Sequence, residues 1–179
     1  MQQDKPQPGE TIAVITTNQG VMKFRLFGDL IPEGVKNFTE LAKAGKYAGA
    51  PFHRVIRDFM VQGGDFTNKD GTGGHACKGP GSTIGDQYHA DLSHIRGALA
   101  YAKTNAPNSI GSQFYIVHPA KGAHFLDHPA GGGPAQGYTV FGQLFDGFEV
   151  LDKIATTKTK PGDVPVEPQV IEDVTITTI

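Results

Sequence analysis

Only one cysteine, Cys77, occurs in 179 residues, so no disulfide can form within the chain. A lone thiol suits a reducing compartment, and a cytoplasmic location is the expectation. Export is the alternative, if a signal or lipid anchor has been removed ahead of residue 1. The opening residues MQQDKPQPGE lack the apolar centre of a secretory signal. No stretch approaches the ~20 apolar residues of a membrane-spanning helix. Neither sign of charge dominates: 16 Lys and Arg stand against 18 Asp and Glu, a net charge of -2. That balance argues against general nucleic-acid binding, which calls for a basic surface. Gly71–Gly81 is glycine-rich but matches neither a P-loop nor a dinucleotide fingerprint. No nucleic acid and no membrane is expected as a partner, and a monomer is expected.

What the chain does have is glycine, 24 residues, and proline, 12, the composition of many turns and short strands. Residues 1–10 are polar and read as a flexible N-terminal arm. Residues 11–179 form a single domain, with no internal repeat and no linker. Thr11–Thr17 and Val21–Phe27 flank a turn at Asn18–Gly20. In the second run Met22, Phe24 and Leu26 alternate with Lys23 and Arg25, so the pair reads as a half-buried hairpin.

A helix is predicted over Pro32–Lys43. Proline suits its first position, Gly45 its end, and Val35, Phe38, Leu41 and Ala42 form one apolar stripe. A shorter helix is predicted over Phe148–Ala155, capped by Asp146 with Glu149 completing a capping box. Between them, short apolar runs alternate with glycine-rich loops: Phe52–Ile56, Phe59–Gln62, Ala98–Ala102, Gln113–Val117 and Thr139–Phe145. Residues 156–168 read as a polar loop, and Val170–Ile179 as a last strand. Many strands with two isolated helices fit an antiparallel barrel or sandwich, and the pattern alone leaves both open.

The informative segment is Phe52–Asp65, F-H-R-V-I-R-D-F-M-V-Q-G-G-D. Two others are Gly97–Ala102 with Gly111–Ile116, and Phe125–Asp127 with Gly137–Gly142. With Gly71–Gly74 (G-T-G-G), these segments resemble the cyclophilin family of peptidyl-prolyl isomerases, from about Thr11 to Ile179. The resemblance implies a mainly β fold: a closed eight-stranded antiparallel barrel capped by two α-helices, with the site in a groove on the outer wall.

It also implies a chemistry. Rotation about an X–Pro bond is opposed by a barrier of about 18–20 kcal/mol, and uncatalysed exchange takes ~10–100 s. In the twisted transition state the lone pair returns to the proline nitrogen. A fixed cation that donates a hydrogen bond there favours the twisted form, without nucleophile, metal or cofactor. Arg54 matches the family arginine given that role, and its guanidinium stays charged. One charged hydrogen bond is worth about 1.5–3 kcal/mol, roughly ten- to a hundredfold in rate.

By the same resemblance Gln62 joins Arg54 as a catalytic residue, and Gln62 and Gln113 hold peptide carbonyls. Phe59, Met60, Tyr115 and Leu126 line the proline slot. The backbone near Ala102 pairs with the substrate chain, flanked by Lys103, Phe125 and Tyr138, and Thr72 touches the substrate further upstream. The expected partners are proline-containing peptides and unfolded or flexible protein segments, whose folding the enzyme would assist. Strand alternation puts Gln113 and Tyr115 on one face and Phe114 and Ile116 on the other. Phe59 and Met60 are adjacent, so both reach one slot only across a bend.

The chain departs from the common eukaryotic pattern at four positions. Phe125 replaces Trp, Tyr138 replaces His, Tyr115 replaces Phe, and Lys103 replaces Asn in a loop (Lys103–Asn108) longer by one. Arginine and slot survive, so catalysis is expected. Cyclosporin, a family ligand, is expected to bind more weakly because of Phe125. The Gly/Pro-rich insertion His128–Gln136 lies beside the site. His53 is read as structural and hydrogen-bonded, and Cys77 as incidental. His124, Asp127 and His128 lie in a loop with no expected metal role. A proline-binding module without turnover competes with the enzyme reading, but would not need the cation. A barrel with an internal ligand is disfavoured by the apolar residues predicted to fill it.

Overall fold

The alternation of apolar residues in the first hairpin becomes two paired strands, β1 (Thr11–Thr17) and β2 (Gly20–Leu26). Ala13 and Ile15 of β1, and Met22, Phe24 and Leu26 of β2, are buried on one side. The computed structural model describes residues 1–133 and 136–179. Of the insertion His128–Gln136, Pro134 and Ala135 lie outside the described residues. Helix α1 (Pro32–Lys43) follows, with the predicted bounds and with Pro32 in its first turn. Four short strands come next: β3 (Arg54–Ile56), β4 (Met60–Gly63), β5 (Ala98–Tyr101) and β6 (Phe114–Val117). Then come β7 (Val140–Asp146), helix α2 (Phe148–Ala155), a small ribbon of β8 (Thr159–Lys160) and β9 (Val164–Pro165), and β10 (Ile171–Thr178). That ribbon lies inside the segment read from sequence as plain loop.

Eight strands share one sheet in the order β10-β1-β2-β7-β5-β6-β4-β3, every neighbour antiparallel. The expectation of a closed barrel is corrected here: the sheet is open and strongly curled. Its outer strands, β3 and β10, share no ladder. They approach through one isolated bridge, Pro51 to Val170, and through hydrogen bonds such as Phe52 N–H to the Gln169 carbonyl (2.7 Å). The chain reaches β3 through the buried residues Ala50 and Phe52, whose backbone groups make these bonds.

The concave side is filled. The Phe38 ring of α1 lies 5.1–5.6 Å from Tyr47, Phe114 and Phe141, and these rings are all fully buried. Asn37 ties α1 to β5 by donating to the Tyr101 hydroxyl (3.2 Å), and to two loops by donating to the Gly111 carbonyl and accepting from the Cys77 N–H.

The capping box predicted for α2 does not form. Its N-cap is Gly147, left-handed at φ +97°, with no side-chain cap. A Cβ there would strike the Val21 carbonyl, so close packing on β2 requires glycine. Asp146 pairs instead with Lys23 across β2 and β7 (3.0 Å). Residues 1–10 lie against the sheet. Arg25 donates to the Met1 and Asp4 carbonyls and pairs with Glu10 (2.7 Å), and Gln2 exchanges two 2.9 Å hydrogen bonds with the Ser93 backbone.

Candidate active site

Strand β6 shows how the sequence builds an inside and an outside. Phe114 and Ile116 join the main core, while Tyr115 and Val117 join a second apolar cluster with Met60, Ala98, Ala100 and Val140. That second cluster floors an outer-wall hollow of about 190 Å³. Arg54, Phe59, Met60, Gln62, Ala102, Lys103, Tyr115, Leu126 and Tyr138 line it. Segments far apart in the chain thus meet in one place. Phe59 and Met60 both reach it because the chain bends just before them: Asp58 is left-handed at φ +59°, and β4 begins only at Met60.

Arg54 opens β3 directly across from Gln62 of β4 and is exposed. Among the described residues its guanidinium has no carboxylate partner. Gln62 Nε2 donates to Gln113 Oε1 (3.0 Å), and Gln113 Nε2 donates to the Gly71 and Gly73 carbonyls (2.9 Å each). The two glutamines therefore form a fixed rail between the apolar hollow and a neighbouring one of about 320 Å³. Thr72, Gln113 and the loop from Gly71 to Gly74 line that second hollow.

Asp65 builds the loop. Fully buried, it accepts through Oδ1 from the Thr67 and Asn68 N–H groups, and through Oδ2 from the Asp70, Gly71 and Gly73 N–H groups. Burial alone would raise its pKa; the N–H groups of Asn68, Gly73 and Gly71 outweigh that and bring it down to about 2. The preceding Gly63 and Gly64 are required by close approach. A Cβ at Gly63 would lie 2.9 Å from the Pro51 carbonyl, and one at Gly64 2.7 Å from the Ser112 carbonyl.

Two predicted residues sit differently from the rest. Phe125 is 77% exposed and outside the hollow's lining, its ring 5.6 Å from Phe59 at the rim. Lys103 lines the hollow, but its ammonium is turned to Asp86 (3.2 Å), with both side chains almost wholly buried. His53 departs from its expectation as well: its buried Nδ1 has no hydrogen-bond partner among the described residues. The ring packs against Gly71, and burial holds its pKa below the usual histidine value. His124 and His128 have separate partners, Asp127 (3.1 Å) and the Tyr88 ring (stacked at 4.1 Å). Among the described residues no group of three or more His, Cys, Asp or Glu is placed to hold a metal.

The sequence did not reveal Asp65 as the loop's organiser, although its position closing the Phe52–Asp65 segment was a signal. It gave no sign of the pairing of His94 with Asp127 (2.7 Å), or of Asp86 with Lys103. These partners are distant in the chain.

The family model for "Cyclophilin type peptidyl-prolyl cis-trans isomerase/CLD" matches residues 12–176. The chain belongs to the cyclophilin family. It is an isomerase of the peptidyl-prolyl cis-trans class. A Staphylococcus aureus (strain USA300) relative named "Putative peptidyl-prolyl cis-trans isomerase" is 39% identical over 188 aligned residues, 95% of this chain and 93% of its own. A Staphylococcus epidermidis protein of the same name is also 39% identical, with the same coverage. Among solved structures, a Cryptosporidium parvum cyclophilin-type peptidyl-prolyl isomerase superposes with a TM-score of 0.83 at 32% identity, covering 96% of this chain and 99% of that one. The same protein was also solved in the presence of the dipeptide Ala-Pro. This cyclophilin thus carries its outer-wall hollow on the fold of a family whose activity is proline isomerisation.

Proposed function

We propose that this cyclophilin seats the proline ring of flexible or unfolded polypeptides in the 190 Å³ hollow, and that Arg54 stabilises the twisted amide. The observation that carries the reading is one juxtaposition. A cation with no carboxylate partner among the described residues opens onto the same apolar pocket as Phe59, Met60, Tyr115 and Leu126. An arginine already paired would have little charge to offer a developing lone pair. The rail of Gln62 and Gln113 presents polar groups beside the pocket, suited to peptide carbonyls on the upstream side. Ala102 lines both hollows and sits where an extended peptide could pair with its backbone. The Ala-Pro dipeptide used with the Cryptosporidium structure is the smallest ligand of this chemistry. Assistance to protein folding follows where a slow X–Pro bond limits the client.

The test is an NMR-exchange or protease-coupled assay on an X–Pro peptide. Arg54→Ala is expected to lower kcat/KM roughly ten- to a hundredfold, the range for one charged hydrogen bond. Equal rates for wild type and variant would sink the mechanism. Cyclosporin is expected to bind more weakly than to a Trp-bearing cyclophilin, and Phe125→Trp to tighten it. A thermal-shift titration in which Phe125→Trp changes nothing contradicts that.

A further inference from the structure

Behind the Tyr115 wall of the hollow lies a chain of buried polar groups that the isomerase mechanism above does not use. His94 is wholly buried, with a ring nitrogen to each side: Nε2 is 2.7 Å from the Tyr115 hydroxyl, and Nδ1 is 2.7 Å from Asp127 Oδ1. The His94 and Tyr115 rings lie within 15° of parallel, with centroids 5.8 Å apart. Asp127 also accepts from the His94 N–H (2.7 Å) and from Ser93 Oγ (2.5 Å).

The proton positions follow. Several donors outweigh burial and hold Asp127 below the usual carboxylate pKa, so it accepts only. Nδ1 of His94 must then carry the hydrogen. Burial opposes the charged imidazolium, and Asp127 offsets only part of that, so Nε2 is left as an acceptor. Burial also pushes the Tyr115 hydroxyl up, so it stays protonated and donates.

We propose that His94 and Asp127 are positioning residues for proline binding: Asp127 fixes the Nδ1–H tautomer of His94, whose Nε2 holds the Tyr115 ring as a wall of the hollow. The same residues fix a second wall. The His94 carbonyl accepts from the Ala123 N–H (2.7 Å), starting the 3₁₀ turn His124–Leu126, and the Leu126 carbonyl accepts from the Tyr138 N–H (3.0 Å). Tyr115, Leu126 and Tyr138, all lining residues, thus share one support. A phenylalanine at 115 would fill the same space without this tie, so the hydroxyl is what links the wall to His94.

The proposal rests on the hollow being the proline site, and its test separates the two ideas. Tyr115→Phe, His94→Phe and the double variant form a thermodynamic cycle read by KM and kcat on an X–Pro peptide. Each single variant strands a buried polar group, and the double variant removes both. Each single variant is expected to raise KM about fivefold with kcat within twofold. The double variant is expected to be no worse than either single one. Strict additivity, or losses confined to kcat, overturns the proposal.

A second readout needs no turnover. The ¹⁵N NMR spectrum of His94 in the wild type is expected to show an Nδ1–H tautomer, and its Nε2 resonance to shift in Tyr115→Phe. An Nε2–H tautomer in the wild type, or an unmoved resonance, also overturns it. If Arg54→Ala leaves turnover intact while the His94 signature is present, the isomerase mechanism fails and the relay stands.

Discussion

Two aspartates organise the two sides of the groove, by opposite means. Asp65 is fully buried and gathers backbone N–H groups from within eight residues of itself. Asp127 is partly exposed and gathers the side chains of Ser93 and His94 from more than thirty residues away, besides the nearby His124 ring and one backbone N–H. Backbone amides are not swung aside by a rotamer change, so the wall at Gly71–Gly74 is a fixed cradle. The partners of Asp127 are side chains from other segments, so the Tyr115 wall owes its support to tertiary contacts that single substitutions can remove. The lesson is one of placement. The backbone-held device lines the hollow beside Gly71–Gly74, and the side-chain-held one lies behind the Tyr115 wall of the apolar hollow.

The largest effect expected from breaking this contrast is in stability. Asp65→Asn turns an NH₂ group toward a nest of N–H donors, and should cost about 3 kcal/mol, lowering Tm by roughly 6–12 °C. Calorimetric melting checks it; an unchanged Tm would mean that the loop needs no carboxylate.

Next comes acid. The folded pKa of Asp65, about 2, lies below its ordinary 3.8, so its contribution is present above about pH 4 and lost as pH falls toward 2. The loss should be on the order of 2 kcal/mol. Urea titrations at a series of pH values are expected to show this step in the wild type and to lack it in Asp65→Asn.

The smallest effect belongs to the Asp127 side. In Asp127→Asn the amide oxygen still accepts from His94 Nδ1–H, and the Ser93 hydroxyl can turn to accept. Stability should fall by about 1 kcal/mol, a Tm shift of about 2–4 °C. A drop as large as that of Asp65→Asn would erase the distinction between the two walls.

Much of the fold was legible because its signals are local. The Met22, Phe24, Leu26 alternation and the proline-to-glycine span of α1 each report a periodicity that neighbours in sequence can satisfy. The cap of α2 was misread because Gly147 answers to β2 packing rather than to the helix, and no local pattern encodes that. Barrel closure was misjudged for a related reason. Each strand was visible, but whether β3 and β10 pair depends on how far the curled sheet carries its edges.

By itself, then, the sequence determined the residue types of the site, through the Phe52–Asp65 segment, and the alternation that puts Tyr115 outside and Phe114 inside. Tertiary structure decided which cation of the hollow is left, among the described residues, without a carboxylate: Lys103 is claimed by Asp86, whereas Arg54 faces the hollow. It also decided that a tyrosine in the slot meets a histidine rather than solvent. The physical reason is that hydrophobic periodicity is written between near neighbours. Pairing of buried polar groups is settled only when the folded chain brings distant donors and acceptors within 3 Å and removes the water that would otherwise serve them.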